Sequence, residues 1–369
     1  MPVHYFRHPA RWTCCLALLS AAAVASGQGA PAGPLYPQPG VEQEPTASQT
    51  SAIRVEANEV IAPVIVTNRS GEMLLTLAQK DFHIFEDGVE QPIAHFGVGG
   101  EQLSIALLVE NSSRIQPYLP AIRKAGSVFA QPVLGLSAEA TILEYDQSVR
   151  TLAKFTTDAD ALQHTIASIE PGDAGASLYD GMQRSLSALE ERPQGQRRIL
   201  LVIGESQDTG SESKFGDVLR HAQIANVTIY SVGLSSTAAA LRAPPKDYGA
   251  QLPPLPTGDP RLDEANREMQ TGADLMALAV WLIETGKNAI GPNALAVASK
   301  STGGLNIHTV KDRSIERAID AIGGELHAQY TVGYTPRANA DSGYHEIKVT
   351  VDRTDVTVRT RPGYYLAEP

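Results

Sequence analysis

The sequence predicts an α/β protein: a doubly wound, mostly parallel sheet flanked by a β module built from N- and C-terminal strands. Three observations predict it. The runs "LSIALLVE" (103–110), "RRILLVIGE" (197–205) and "VTIYSVGL" (227–234) are apolar almost without interruption, as strands covered on both faces must be. Between them, apolar residues fall at helical spacing, so strands and helices alternate. Outside them, residues 53–97 and 327–366 are Val-, Ile- and Tyr-rich segments broken by turn residues.

Residues 1–27 have the pattern of a secretory signal. Arg7 and Arg11 form a positive start, "CCLALLSAAAVA" an apolar run and "AVASG" a small-residue cleavage region. The apolar run is too short to span a bilayer comfortably, and Cys14 and Cys15 open it rather than follow it, unlike a lipoprotein signal. Cleavage would remove both arginines, taking the formal charge from −11 to −13, and would leave no cysteine. Thiol catalysis and disulfide stapling are then excluded. No later segment has the continuous apolar length of a transmembrane helix, and the expected location is exported, periplasmic or extracellular. Residues 28–52, rich in Pro, Gly, Gln and Thr, read as a flexible tether, with a buried extended arm as the alternative.

The first folded material, residues 53–100, is β. "IRVEANEVIAPVIVTNRSG" closes in a turn at 69–71, and "FHIFEDGVEQPIAHF" turns at Asp87-Gly88. Residues 101–326 then carry the α/β core. A helix with Ile115, Leu119, Ile122 and Phe129 on one side follows the first buried strand, with Pro117 and Pro120 near its start. "AEATILEYDQSVRTLAKFT" reads as a hairpin turning at Asp146–Ser148, and Asp158 opens a helix stopped by Pro171-Gly172. Leu178, Met182, Leu186 and Leu189 stripe the next helix, and Phe215–Ala225 forms another. Residues 235–293 read as an insertion. Its "QLPPLPTGDP" is either an extended recognition segment or a rigid spacer, and its Trp281 a candidate interface residue. "STGGLNIH" and a last helix ending near Leu326 complete the core. Residues 327–366 supply three strands, "HAQYTVGYTP", "YHEIKVTV" and "DVTVRTRPGYY", expected to complete the sheet begun at the N-terminus.

A formal charge of −11 with no dense Lys/Arg stripe argues against nucleic-acid binding. Open α/β sheets bind ligands at the carboxyl ends of their strands, which directs attention to "ENSSR" (110–114), "GDAGASLYD" (172–180) and "GESQDTG" (204–210). The candidate apex residues are Glu110, Asn111, Ser112, Ser113, Arg114, Ala176, Ser177, Glu205 and Asp208.

With "FHIFEDGVEQPIAHF", "SLYDG", "STGGLNIH", "QYTVGYTP" and "RPGYY" in this order, residues 53–366 resemble a von Willebrand factor A domain, in its bacterial, acidobacterial-type VWFA-related form. The resemblance implies a doubly wound sheet surrounded by helices and a role in adhesion or protein binding. It also implies a metal-ion-dependent adhesion site with the pattern Asp-x-Ser-x-Ser, then Thr, then Asp. Under it, Glu110 stands at the first Asp, Ser112 and Arg114 at the two Ser, Ala176 at the Thr and Glu205 at the second Asp. Only Ser112 is retained.

Mg²⁺ demands oxygen ligands at about 2.1 Å in near-octahedral array. Glu for Asp moves the carboxylate oxygens, Ala176 removes an oxygen, and Arg114 brings a fixed cation with no acceptor. The expectation is no metal and no cofactor, with weak Mg²⁺ or Ca²⁺ binding through Glu110, Ser112 and Glu205 as the alternative. Arg114 is expected to pair with Glu110 or Glu205 and take over part of the cation's structural role; the alternative is a solvated i, i+4 pair of Glu110 and Arg114. Catalysis is not expected. Ser112 sits in no G-x-S-x-G elbow, and the histidines show no HExxH or triad spacing. The reading is a secreted module binding a protein or extracellular polymer at the apex or the insertion, or else a structural part of an envelope assembly.

Overall fold

The N-terminal strands are β1 (Val60–Asn68), β2 (Phe82–Glu86), β3 (Val89–Gln91) and β4 (His95–Val98) in a computed structural model of the chain. It describes residues 59–129, 133–134, 138–193, 195–234, 279–280, 282–283, 294–309, 312–336 and 342–366. The predicted signal, the tether, Trp281 and most of the insertion lie outside the described residues. The expected turn at Asp87-Gly88 joins β2 to β3. Both residues have positive φ, 48° and 78°, the geometry that matches a two-residue hairpin loop to strand twist.

The α/β core begins with β5 (Leu103–Glu110), a 3-10 segment at Ser113–Tyr118 and α1 (Leu119–Val128). The hairpin β6 (Ala138–Tyr145) and β7 (Val149–Thr156) follows, then α2 (Ala159–Ala167), whose N-cap Asp158 accepts from the Ala161 amide at 3.0 Å. Next come α3 (Leu178–Glu190), β8 (Arg197–Gly204), α4 (Phe215–Ile224), β9 (Val227–Leu234), α5 (Ala294–Ser301), β10 (Asn306–Thr309) and α6 (Asp312–His327). These strands form one sheet in the order β10-β9-β8-β5-β6-β7, parallel throughout except for the β6–β7 hairpin. Strand order reverses at β5, so the crevice between the ends of β5 and β8 is the switch point of a doubly wound sheet.

Period-2 alternation distributes β5 between two cores. Leu103, Ile105, Leu107 and Val109 pack with α1, α2 and α6, whereas Ala106 and Leu108 pack with α3, α4 and α5. Both faces are therefore dry, as the unbroken apolar runs require.

The C-terminal strands are β11 (Tyr330–Tyr334), β12 (Gly343–Val351), β13 (Val356–Thr360) and β14 (Gly363–Leu366). The two ends of the chain were expected to complete one sheet; they form two antiparallel ones, β13-β1-β11-β4 and β14-β12-β2-β3. Val64, Val66, Phe82, Ile84, Tyr330, Val332, Ile347 and Tyr364 share one core between them. The single strand expected over "DVTVRTRPGYY" is broken at Arg361-Pro362, because Pro362 has no N–H to continue the ladder. Gly363 then lies directly against β12, where any Cβ would meet the His345 carbonyl and the Tyr344 ring. One segment thus serves both sheets. The described residues form a single compact unit.

Candidate functional site

Glu110 is the last residue of β5 and Glu205 follows β8, so both stand at the switch-point crevice. Parallel register places Tyr145, the last residue of β6, opposite Glu110. All three are buried, Glu110 at 0% exposure. Gly204 makes the arrangement fit: a Cβ there would collide with the Tyr145 hydroxyl and with Glu110.

Every acceptor face of the Glu110 carboxylate is turned to the chain itself. Its Oε1 accepts from the Ser112 hydroxyl at 2.5 Å and lies 3.5 Å from an Arg114 Nη. Its Oε2 accepts from the Glu205 amide at 2.6 Å and from the Tyr145 hydroxyl at 3.4 Å. Burial pushes the Glu110 pKa up, against the pull of Ser112, the Glu205 amide and Arg114; the neighbouring Glu205 charge pushes it further up. Burial and the Glu110 charge raise the Tyr145 hydroxyl well above its usual value.

Arg114 lies between the two carboxylates, its Nη 3.5 Å from Glu110 and its Nε 3.8 Å from Glu205. It also donates to the side chain and backbone carbonyl of Gln207, at 3.3 and 3.4 Å. A buried Glu110 excludes the solvated i, i+4 pair. Ser112 donates its hydroxyl to the Glu110 carboxylate rather than to a histidine.

The other expected residues divide differently. Asn111 donates to the Glu170 carbonyl at 3.1 Å, and its Oδ1 is buried without a partner. Ser113 is exposed, and its amide donates to the Asp173 carbonyl at 2.9 Å. Ser177 is buried and donates to the Gln147 carbonyl at 3.0 Å. Ala176 is held by Thr209, whose hydroxyl and amide form reciprocal bonds with the Ala176 backbone at 2.9 Å. Asp208 accepts from the Tyr179 amide at 3.2 Å and from Ser211, capping the first turn of α3 from a different loop.

Asp146, in sequence a hairpin turn residue, is the node of the second loop. Its carboxylate, 1% exposed, accepts from the amides of Ser148 and Asp173 at 2.8 and 3.1 Å and pairs with Arg150 at 3.0 Å. Burial alone would raise its pKa; those amides and the guanidinium outweigh it and hold the carboxyl at about 2. Gly172 is pressed against Asp146 and Asn111 so closely that a Cβ would clash with both. The signal that could have found Asp146 and Tyr145 is register, since the end of β6 lies level with the end of β5.

The donor set does not fit an octahedral dication. Both Glu110 oxygens are consumed, the Ser112 hydroxyl is turned into that carboxylate, Ala176 offers no side-chain oxygen, and a guanidinium stands by both acids.

No protein-family model and no curated protein matches the chain. Among solved structures, it is similar to BatB, a conserved hypothetical protein of Bacteroides thetaiotaomicron, at 13% identity and TM-score 0.41, over 61% of this chain and 98% of that one. It is similar to the vWF domain of the type V pili tip protein Mfa5 of Porphyromonas gingivalis at 14% identity and TM-score 0.35, over 62% and 96%. Proximal thread matrix protein 1 of the mussel byssus, with a zinc-occupied MIDAS motif, matches at 9% identity and TM-score 0.42, over 65% and 49%. The fold class rests on the strand order and register given above.

Proposed function

We propose that the chain is an exported, non-catalytic binding module of the von Willebrand factor A type. Its apex engages a protein or extracellular polymer and is organised by internal ion pairs rather than by a divalent cation. One observation carries this reading: Glu110, wholly buried, spends its acceptor capacity on Ser112, Tyr145, the Glu205 amide and Arg114. Two acids facing one crevice repel each other, and Arg114, between them, relieves that repulsion as a cation would. These contacts fasten the loop after β5 to the loop after β8. Ser113, Asp173, Gln207 and Thr209 remain exposed around the crevice, hydrogen-bonding groups on a rigid support.

Calorimetric titration with Mg²⁺, Mn²⁺ and Ca²⁺ tests the reading. The expected result is no saturable heat up to about 1 mM of any of the three ions. Micromolar binding that disappears in Ser112→Ala would overturn it.

A further inference from the structure

At the opposite end of the parallel sheet, where its strands begin, lies a cavity of about 950 Å³. Its walls come from the start of β8, the C-terminal turn of α4, the first residues of β1 and strand β14. The volume suits a small-molecule site.

Two arginines on this wall have only neutral acceptors among the described residues. Arg361, 4% exposed, donates to the backbone oxygens of Gly363 and Ile61 and to the side-chain oxygens of Gln223 and Asn226. Arg198 donates to the backbone oxygens of Ala225, Glu190 and Arg192, and its Nε is buried without a partner. A guanidinium carries five N–H donors, so each retains donor capacity. Both converge on residues 223–226.

Three carboxylates line the same wall: Glu59, exposed just before β1, and Glu101 and Glu190, which meet other groups, Glu190 also acting on Arg198 through its charge. Glu101 pairs with Arg197 at 3.5 Å and His95 at 3.2 Å and accepts from Thr331 at 2.8 Å; Glu190 meets His221 at 3.1 Å. Burying a cation against dipoles alone is costly. That burial pushes the Arg361 pKa down to about 10. The wall also carries apolar residues: Ile61, Pro63 and Tyr365 line it with Ile224, which is 45% exposed.

We propose that this cavity binds a small organic anion, its oxyanion received by Arg198 and Arg361 and its apolar body lying against Ile224 and Tyr365. The site is independent of the apex. It would supply a directly hydrogen-bonded counter-charge to two guanidiniums whose acceptors are otherwise neutral among the described residues.

Calorimetric titration of the full chain with octanoate, octylamine and inorganic phosphate tests the assignment. Saturable binding of octanoate is expected, with none for octylamine and at least about ten-fold weaker binding of phosphate, which has no apolar body. Arg198→Gln is expected to weaken octanoate binding about ten-fold or more. Because Arg198 also holds two helix ends, Ile224→Glu is the second variant: it places a carboxylate at a half-exposed position on the wall and is expected to abolish binding. Absence of saturable octanoate heat up to about 1 mM would overturn the proposal. So would equal binding of octylamine or phosphate, or an affinity unchanged in either folded variant.

Discussion

Glu110 and Asp146 show how two buried acids at one apex acquire opposite pH behaviour. At Glu110 full burial outweighs the pull of Ser112, the Glu205 amide and Arg114, and its pKa is raised; at Asp146 two amides and a guanidinium outweigh burial, and its pKa falls to about 2. A depressed carboxyl contributes stability above its unfolded value, near 3.8, and loses it as pH falls through the folded value near 2. The shift corresponds to about 2 kcal/mol. A raised carboxyl works the other way: its contribution is complete below the unfolded value, 4.5 for Glu110, and is lost as pH rises through the folded one. Urea unfolding from pH 5 to 2 checks the pair. Asp146→Asn is expected to lack the native loss of about 2 kcal/mol between pH 4 and 2 while still gaining stability on acidification towards 4.5, from Glu110. Equal acid sensitivity of variant and native protein would refute the role given to Asp146. At this scale, the sequence revealed Glu110, Arg114 and Glu205 because each lies next to a strand end. It hid Tyr145 and Asp146 because a hairpin turn explains those letters equally well until register sets them beside Glu110.

Among the elements, α3 depends on a loop it does not belong to. Its N-cap residue Ser177 makes no side-chain cap bond to the helix, and its hydroxyl goes to Gln147. The amides of Tyr179 and Asp180 are instead met by Asp208 and by Ser211, which bonds to Asp208 at 2.5 Å. Asp180 returns the contact, accepting from the amides of Glu212 and Ser213 at 3.0 and 2.9 Å. The loop after β8 is therefore fastened to the helix before it. Asp208→Ala is expected to cost about 1 kcal/mol and to speed hydrogen exchange at Tyr179 and Ser211. Exchange unchanged at both amides would remove Asp208 from this role. The helices and parallel strands were legible because a 3.6-residue stripe and a doubly buried run leave distinct patterns. The partition of the terminal strands was not, because alternation specifies a buried face but not a sheet. The decision was made at Pro362 and Gly363, by a missing N–H and a missing Cβ.

The whole molecule is held together by its C-terminal segment. Strand β13 pairs with β1, and β14 pairs with β12, so both antiparallel sheets are closed by residues 356–366. The same segment reaches the α/β core through two arginines. Arg359 pairs with Glu325 of α6 and donates to the carbonyls of Gly303 and Gly304 at 2.9 and 2.8 Å. Glu325 in turn accepts from the buried Tyr230 hydroxyl at 2.8 Å. Arg361 grips Gln223 and Asn226 at the end of α4. The "STGG" turn explains itself here: Gly303 has φ 81° and abuts the Arg361 backbone, while a Cβ on Gly304 would strike the Ile229 carbonyl. Charge-assisted bonds of this kind contribute about 1.5–3 kcal/mol each, enough to make two packed cores unfold together. Scanning calorimetry is expected to show one transition for the native protein and two for the Arg359→Gln/Arg361→Gln double variant, with the lower transition belonging to the two antiparallel sheets. Hydrogen exchange identifies it: amides of β1 and β12 should lose protection first while those of β5 and β8 keep theirs. A single transition retained in the double variant would mean that the apolar contacts alone couple the cores. The two arginines would then be local fasteners of α4 and the glycine turn.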